Sequence, residues 1–252
     1  MNIKMKYLLL CLFLVFFATN CNPDYKENNI KKAISSTKSV HSCHVYTTVK
    51  SIGDININEN KYELEFASND RFRQKSGCPG CGIDNWYEII SINDTQYFHN
   101  ADRPDWYIIQ SPDEPSLTGS VPRLTPPQEQ LDNIIEPLNW LKEIDELADD
   151  AYCNHCLRYS GTVDMDLYLK AQYKNSNLIT REATALHDAM RKGTRIVEVW
   201  IDKDSYLIQQ IRSKECYVVA DVTGVKTLYA GVTTTTFKGF NSPISVEPPV
   251  IK

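Results

Sequence analysis

The sequence predicts an α+β fold, a strongly curved antiparallel β half-barrel of about eleven strands with helices packed in its concave mouth. Three observations carry this. Short β-branched and aromatic runs follow one another at hairpin spacing, separated by Gly53-Asp54, Asn69-Asp70 and Asn93-Asp94. Connections that short make antiparallel pairs, because parallel crossovers need a dozen residues or more. A single strong amphipathic stripe lies mid-chain, with Leu131, Ile134, Ile135, Leu138, Leu141, Ile144 and Leu147 at steps of three and four. A two-sheet sandwich would leave that stripe without a partner, so one face of one sheet must receive it.

Taken in order, residues 1–6 carry Lys4 and Lys6, residues 7–17 (YLLLCLFLVFF) are uncharged and apolar, and Ala18, Thr19 and Asn20 follow. This is the order of a secretory signal peptide. Eleven apolar residues make a helix of about 16 Å, too short for a hydrocarbon core of roughly 30 Å, so export is expected over spanning. Residues 24–38 read as a polar helix with a thin stripe at Ile30, Ala33 and Ile34. Strands are expected from Val40 to Gln110, a proline-rich loop at 111–127, and then the amphipathic segment, where Pro137 either bends the helix or starts a second one. β structure is expected again over 151–170, in RIVEVWI and SYLIQQIRSKECYVVA on either side of Asp202-Lys203-Asp204, and near KTLYAGVTTTTF and PISV. Residues 172–193 read as a helix-compatible insertion. The strands NWYEIISI and RIVEVWI are apolar on both alternating faces, which requires cover on both sides over part of their length.

Removing residues 1–20 takes the formal charge from −5 to −7. A mildly acidic chain is a poor partner for nucleic acid. Ala18-Thr19-Asn20-Cys21 resembles the lipobox of bacterial lipoproteins, in which the cysteine is lipidated and becomes the N-terminus. It departs from that pattern in having Ala18 where an aliphatic residue is usual and Asn20 where Gly, Ala or Ser is usual. The resemblance implies a signal peptide at 1–20, a lipidated tether at 21–29 beginning with Cys21, and a single domain at 30–252. It places the exported protein on the extracytoplasmic face of a cell membrane, held through its N-terminal lipid.

NWYEIISINDTQYFHNADRPDWY (85–107), VEVWIDKDSYLIQQI (197–211) and TTTTFKGFNSPISVEPP (233–249) resemble envelope lipoproteins of the LolA/LppX/LprG-like superfamily. That resemblance implies an unclosed half-barrel with an apolar cavity that holds the acyl chains of lipids or lipoproteins. The expected partners are therefore a lipid or acylated ligand and a membrane. The expected lining is Trp86, Tyr97, Trp106, Ile134, Leu138, Leu141 and Ile144. The alternatives are an envelope binding or scaffolding module whose core is filled, and a zinc- or thiol-dependent protein using its two C-x-x-C pairs.

Six cysteines remain beyond Cys11 and Cys21: Cys43, Cys78, Cys81, Cys153, Cys156 and Cys216. GCPGCG and YCNHCL have the spacing of zinc knuckles, but in an exported chain six cysteines are expected to form disulfides, with fifteen pairings open. Cys78-Pro79-Gly80-Cys81 looks like a thioredoxin tetrapeptide. It leads into a strand where the redox motif needs a helix N-terminus. Asp164 and Asp166 are expected on the solvated face of a strand. No Gly-x-Ser-x-Gly, His-Glu-x-x-His or phosphate loop is present. Neither enzyme activity nor a metal or cofactor is expected.

Overall fold

A computed structural model describes residues 23–52, 57–77, 86–93, 95–102, 104–109, 125–149, 151–173, 181–220 and 224–251. The signal segment, Cys21, the turn at 53–54 and the Cys78/Cys81 pair lie outside these residues, as does most of the proline-rich loop.

Helix α1 spans Pro23–Lys38 and leads into strands β1 (Cys43–Ile52), β2 (Ile57–Ser68), β3 (Arg71–Gly77), β4 (Trp86–Ile92), β5 (Thr95–Asn100) and β6 (Tyr107–Ile109). Helix α2 (Pro127–Ile135) and a 3-10 turn (Glu136–Trp140) precede β7 (Leu141–Leu147) and β8 (Cys156–Val163). Helices α3 (Met165–Gln172) and α4 (Arg181–Lys192) then precede β9 (Thr194–Asp202), β10 (Ile208–Ala220) and β11 (Lys226–Lys238). The eleven strands form one sheet in the order β6-β5-β4-β3-β2-β1-β11-β10-β9-β8-β7. Every described pairing is antiparallel, and β6 and β7 remain as edges, so the sheet does not close.

Alternation along the strands divides the sheet into an inner and an outer face. Cys43, Val45, Leu64, Phe66, Phe72, Val197, Val199, Ile211 and Phe237 point inward and form one core with the helices. Helix α1 presents Ile30, Ala33 and Ile34 to that core, the stripe its sequence contains. Two buried hydrogen bonds fix its direction. Asn29 Nδ2 donates to Tyr159 Oη at 2.8 Å, and the Ile208 amide donates to Thr37 Oγ1 at 3.0 Å. The polar groups of α1 that face the sheet are thus satisfied. The tether expected at 21–29 is helical from Pro23, since Asn29 and Ile30 are already buried.

Three other expectations fail for local reasons. The mid-chain stripe is not one helix. After Pro137 the chain makes a 3-10 turn and becomes β7, so Leu141 and Ile144 are strand residues. Their step of three comes from a bulge: three steps from Lys142 to Asp145 oppose two from Thr162 to Ser160, with Glu143 at φ 54°. The extra residue keeps Leu141 and Ile144 on the inner face, where they close over Gly161. A Cβ added to Gly161 would lie 3.1 Å from the Lys142 carbonyl.

The strand expected over 151–170 ends at Val163. There Asp164 caps α3 by accepting from the Leu167 amide at 3.2 Å, and Asp166 sits in the first turn. The two carboxylates therefore do not share a strand face. PISV is not a strand. The C-terminal segment instead ties to the α1–β1 connection, where Asn241 N donates to the Ser42 carbonyl at 2.9 Å and Ser42 Oγ to the Ser242 carbonyl at 2.7 Å. The helix expected within 172–193 is α4, packed on β10.

The outer face of β8–β10 is held by charge. Glu198 lies between Arg158 Nη2 and Lys214 Nζ, each 2.8 Å away. The Arg158 guanidinium also lies 5.0 Å from the Trp200 ring, which helps to bury that indole on the side away from the helices. Burial alone would raise the Glu198 carboxyl. The hydrogen bonds from Lys214 and Arg158 outweigh it and hold the group below its ordinary value near 4.5. The unfolded chain thus takes up this proton at a higher pH than the folded one. The stabilisation is complete above the ordinary value and is lost as pH falls from there through the folded value. Glu198→Gln is expected to lower stability by about 2 kcal/mol at pH 7 and by much less at pH 3, as read from urea unfolding. An equal loss at both pH values contradicts this account.

Candidate functional site

Helix α2 covers the inner face unevenly. Leu131 and Ile135 are 0 % exposed and Leu138 is 3 % exposed, so the row beneath the helix is filled. Ile134, one step round the helix, faces a cleft of about 280 Å³ between α2 and strands β1–β3. Val45 and Leu64 floor the cleft, while Thr47, Tyr62, Glu63, Gln74, Thr125, Gln130 and Asn133 form its rim. Gln130 Nε2 donates to Gln74 Oε1 at 3.1 Å and to the Thr125 carbonyl at 2.7 Å, which ties the helix to the sheet along one side.

The cleft has a direction. Cys43, Phe66 and Phe72 at the Cys43 end of the sheet are buried, as are Val45 and Leu64 in the next row. Burial then declines through Thr47 and Tyr62 toward the Ile52 end. The closed side is thus at the start of β1, and the open side is where β1 stops. A greasy floor with amide and hydroxyl groups and the acidic Glu63 at the mouth suits an amphiphile, whose tail gains about 0.8 kcal/mol per methylene removed from water.

The residues expected to line a cavity are distributed among three places. Ile134 lines the cleft, and Leu138 belongs to the filled row. Leu141 and Ile144 pack at the core edge from β7. Trp86, Tyr97 and Trp106 do not face the helices. Register places Tyr97 opposite Ile90, which in turn is opposite Arg73, and Trp86 opposite Gly77, all on the outer face. There the His99 ring stacks on Trp106 with centroids 3.8 Å apart and meets Trp86 edge-on at 4.8 Å. Glu88 lies between His99 Nε2 at 3.0 Å and Arg73 Nε at 2.7 Å. An outer groove of about 380 Å³ beside this cluster has Lys61, Lys75, Glu63 and Glu88 among its walls, so its charges offset one another.

The floor residues Val45 and Leu64 are not among the lining residues expected from the sequence, although a signal for them is there. Each alternates with polar neighbours, His44 and Tyr46 or Glu63 and Glu65, which marks the inner side of a hairpin. The rim glutamines carried no comparable signal.

Cys153 and Cys156 are joined to each other, with Sγ–Sγ 2.02 Å. This closes the loop between β7 and β8 and removes both thiols from any site shared with Cys78 and Cys81. Cys43 and Cys216 are free thiols, against the expectation of disulfides. They lie toward opposite ends of the sheet: Cys43 begins β1, whereas Cys216 pairs with Ala230, itself opposite Ile52. Burial pushes the Cys43 thiol up to about 12, so it is inert at neutral pH. Among the described residues no group of three or more His, Cys, Asp or Glu side chains is arranged to hold a metal ion.

An open eleven-stranded antiparallel sheet with helices packed on its inner face is an α+β half-barrel. No family model matches the sequence, and no curated protein matches it. Among solved structures, the fold is similar to LprF from Mycobacterium bovis, at TM-score 0.52 and 14 % identity, covering 90 % of this chain and 97 % of LprF. A LolA superfamily protein, NE2245 from Nitrosomonas europaea, aligns over 86 % of this chain and 93 % of its own at 10 % identity and a TM-score of 0.28.

Proposed function

We propose that the protein is an extracytoplasmic lipoprotein, anchored through Cys21, that holds a lipid or other amphiphile in the cleft between α2 and strands β1–β3. The observation that carries this reading is the step from the filled row at Leu131, Ile135 and Leu138 to open space beside Ile134. The resemblance to LolA/LppX/LprG-like lipoproteins supports it from the sequence side. At about 280 Å³ the cleft lies just under the range of roughly 300–1,000 Å³ typical of small-molecule sites, which favours one acyl chain over a bulky multi-chain lipid. Carriage of that ligand across an envelope is the role such a cleft would serve on a tethered protein.

A second reading rests on the same filled row: an envelope scaffolding module that presents its surface and binds nothing inside. Titration of the purified chain with a fluorescent fatty acid separates the two. Saturable binding near one probe per chain, displaced by unlabelled fatty acid, is expected of the amphiphile binder. No saturable uptake leaves the scaffold. Anchoring is tested by Cys21→Ser, which is expected to move the protein from the membrane fraction to the soluble extracytoplasmic fraction. Full membrane retention of that variant counts against lipidation at Cys21.

A further inference from the structure

On the outer face, Lys61 of β2, Gly77 of β3 and Trp86 of β4 stand in one cross-strand row. Lys61 and Trp86 are two strand spacings apart, about 10 Å, and the residue between them has no side chain. This leaves a trough within the outer groove of about 380 Å³. The next row, Glu63, Lys75 and Glu88, closes one end of it. The fold does not require a glycine here. The φ of Gly77 lies outside the left-handed region, and among the described residues a Cβ added to it would meet only Trp86 Cβ, at an ordinary 3.7 Å. Gly161 differs, since a Cβ there would press on the Lys142 carbonyl. Glycine weakens a strand, and one that neither backbone nor packing demands marks a place where a guest approaches closely.

The chemistry of the walls selects the guest. Trp86 is braced by the His99 ring, which Trp106 and Glu88 hold in turn, so the indole is set before anything binds. Two lysines and two glutamates line the groove, so an anionic guest meets Glu63 and Glu88 and a cationic one meets Lys61 and Lys75. A purely apolar guest would strip water from all four. An extended peptide needs a free strand edge for its backbone, and β2, β3 and β4 are interior strands. What remains is an uncharged guest rich in hydroxyls, each of which both donates and accepts. The lysines have N–H groups to spare, since Lys61 Nζ lies 3.8 Å from Glu59 Oε1 and Lys75 Nζ 3.9 Å from Glu88 Oε1, both long for a hydrogen bond. The C–H face of a sugar ring also matches an indole, whose π face is negative.

We propose that the outer trough at Gly77 is a saccharide site, in which a neutral sugar stacks on Trp86, takes hydrogen bonds from Lys61 and Lys75 and donates to Glu63. The inference goes beyond the amphiphile cleft. Strand parity sets the trough and the cleft floor of Val45 and Leu64 on opposite faces of the sheet, so neither site depends on the other.

The test is calorimetric titration of the full chain with maltotetraose, cellotetraose and chitotetraose, all uncharged. Saturable binding of at least one of them, near one per chain, is expected. Gly77→Leu fills the trough and is expected to lower that affinity about tenfold or more, with the unfolding midpoint at or above that of the parent. Should Gly77→Leu fail to fold, Trp86→Ala is expected to show the same loss and Trp86→Tyr to recover most of it. Ile134→Trp, in the inner cleft, is expected to leave sugar affinity within about twofold, so loss of the amphiphile reading leaves the trough in place. Octyl glucoside compared with glucose in the Ile134→Trp background separates the sources. A gain from the octyl chain points to a glycolipid headgroup and no gain to a free or wall glycan, and both uphold the site. Binding of none of the tetrasaccharides overturns it, as does binding that Gly77→Leu leaves intact. Tighter binding of tripolyphosphate or of a hexalysine peptide, lost in Gly77→Leu, overturns the choice of an uncharged guest.

Discussion

Leu131→Ala is expected to lower the unfolding free energy by about 3 kcal/mol, within the range of roughly 2–5 kcal/mol for a large aliphatic residue cut back in a packed core. Leu131 is 0 % exposed and stands where α2 presses on the sheet, with Ile135 a turn further on. The helix has little else to hold it. It is nine residues long, it starts at Pro127 without a side-chain cap, and its glutamines bond from its edges, Gln130 to Gln74 and Gln128 to the Lys38 carbonyl at 3.1 Å. A short helix of this kind owes its stability to the face it buries. Urea unfolding with an unchanged m-value measures the loss, and Asn133→Ala, at an exposed position on the same helix, is expected to stay within about 0.5 kcal/mol of the parent. A loss below about 1 kcal/mol for Leu131→Ala would mean that the row beneath α2 is not packed.

Ile134→Trp is expected to have the opposite profile. Its side chain faces the cleft and not the filled row, so an indole there occupies space that holds no protein atoms. Fatty-acid probe affinity is expected to fall at least tenfold, or about 1.4 kcal/mol, with the unfolding midpoint close to that of the parent. Because the two residues are adjacent on one turn, the pair separates filling a core from filling a site. Unchanged probe affinity in Ile134→Trp would place the ligand elsewhere.

The fold was largely legible because its strands are local hairpins whose turn residues stand in the sequence, and because α1 carries its stripe at Ile30, Ala33 and Ile34. Hydrophobic spacing misled where local geometry altered the period. Leu138, Leu141 and Ile144 continue the helical step of Leu131 to Ile135, yet a bulge at Glu143 produces the same step on a strand. Asp164 ended a run that alternated like a strand, and its capping role depended on a helix whose own stripe is weak. Trp86, Tyr97 and Trp106 were assigned to the wrong face for a different reason. Strand β4 is buried on both sides at Ile89 and Ile90, so apolar character does not say which parity meets the helices. Only pairing to β3, where Gln74 meets Gln130, settles that question.

Cysteine spacing was equally silent. Cys153 and Cys156 close on each other while Cys43 and Cys216 stay reduced, a pattern set by which ends of the sheet their strands bring them to. The cleft itself is a shortfall of cover beside one helix. It depends on where α2 stops shielding Val45 and Leu64, and no motif encodes that.

Photo-crosslinking with a diazirine fatty acid, followed by peptide mapping, tests the central claim most directly. The account predicts adducts on the inner residues of β1 and β2 around Val45 and Leu64 and on α2 at Ile134, all competed by unlabelled fatty acid. Adducts concentrated on the outer face at Trp86 and Trp106, or none that unlabelled fatty acid competes away, would contradict it.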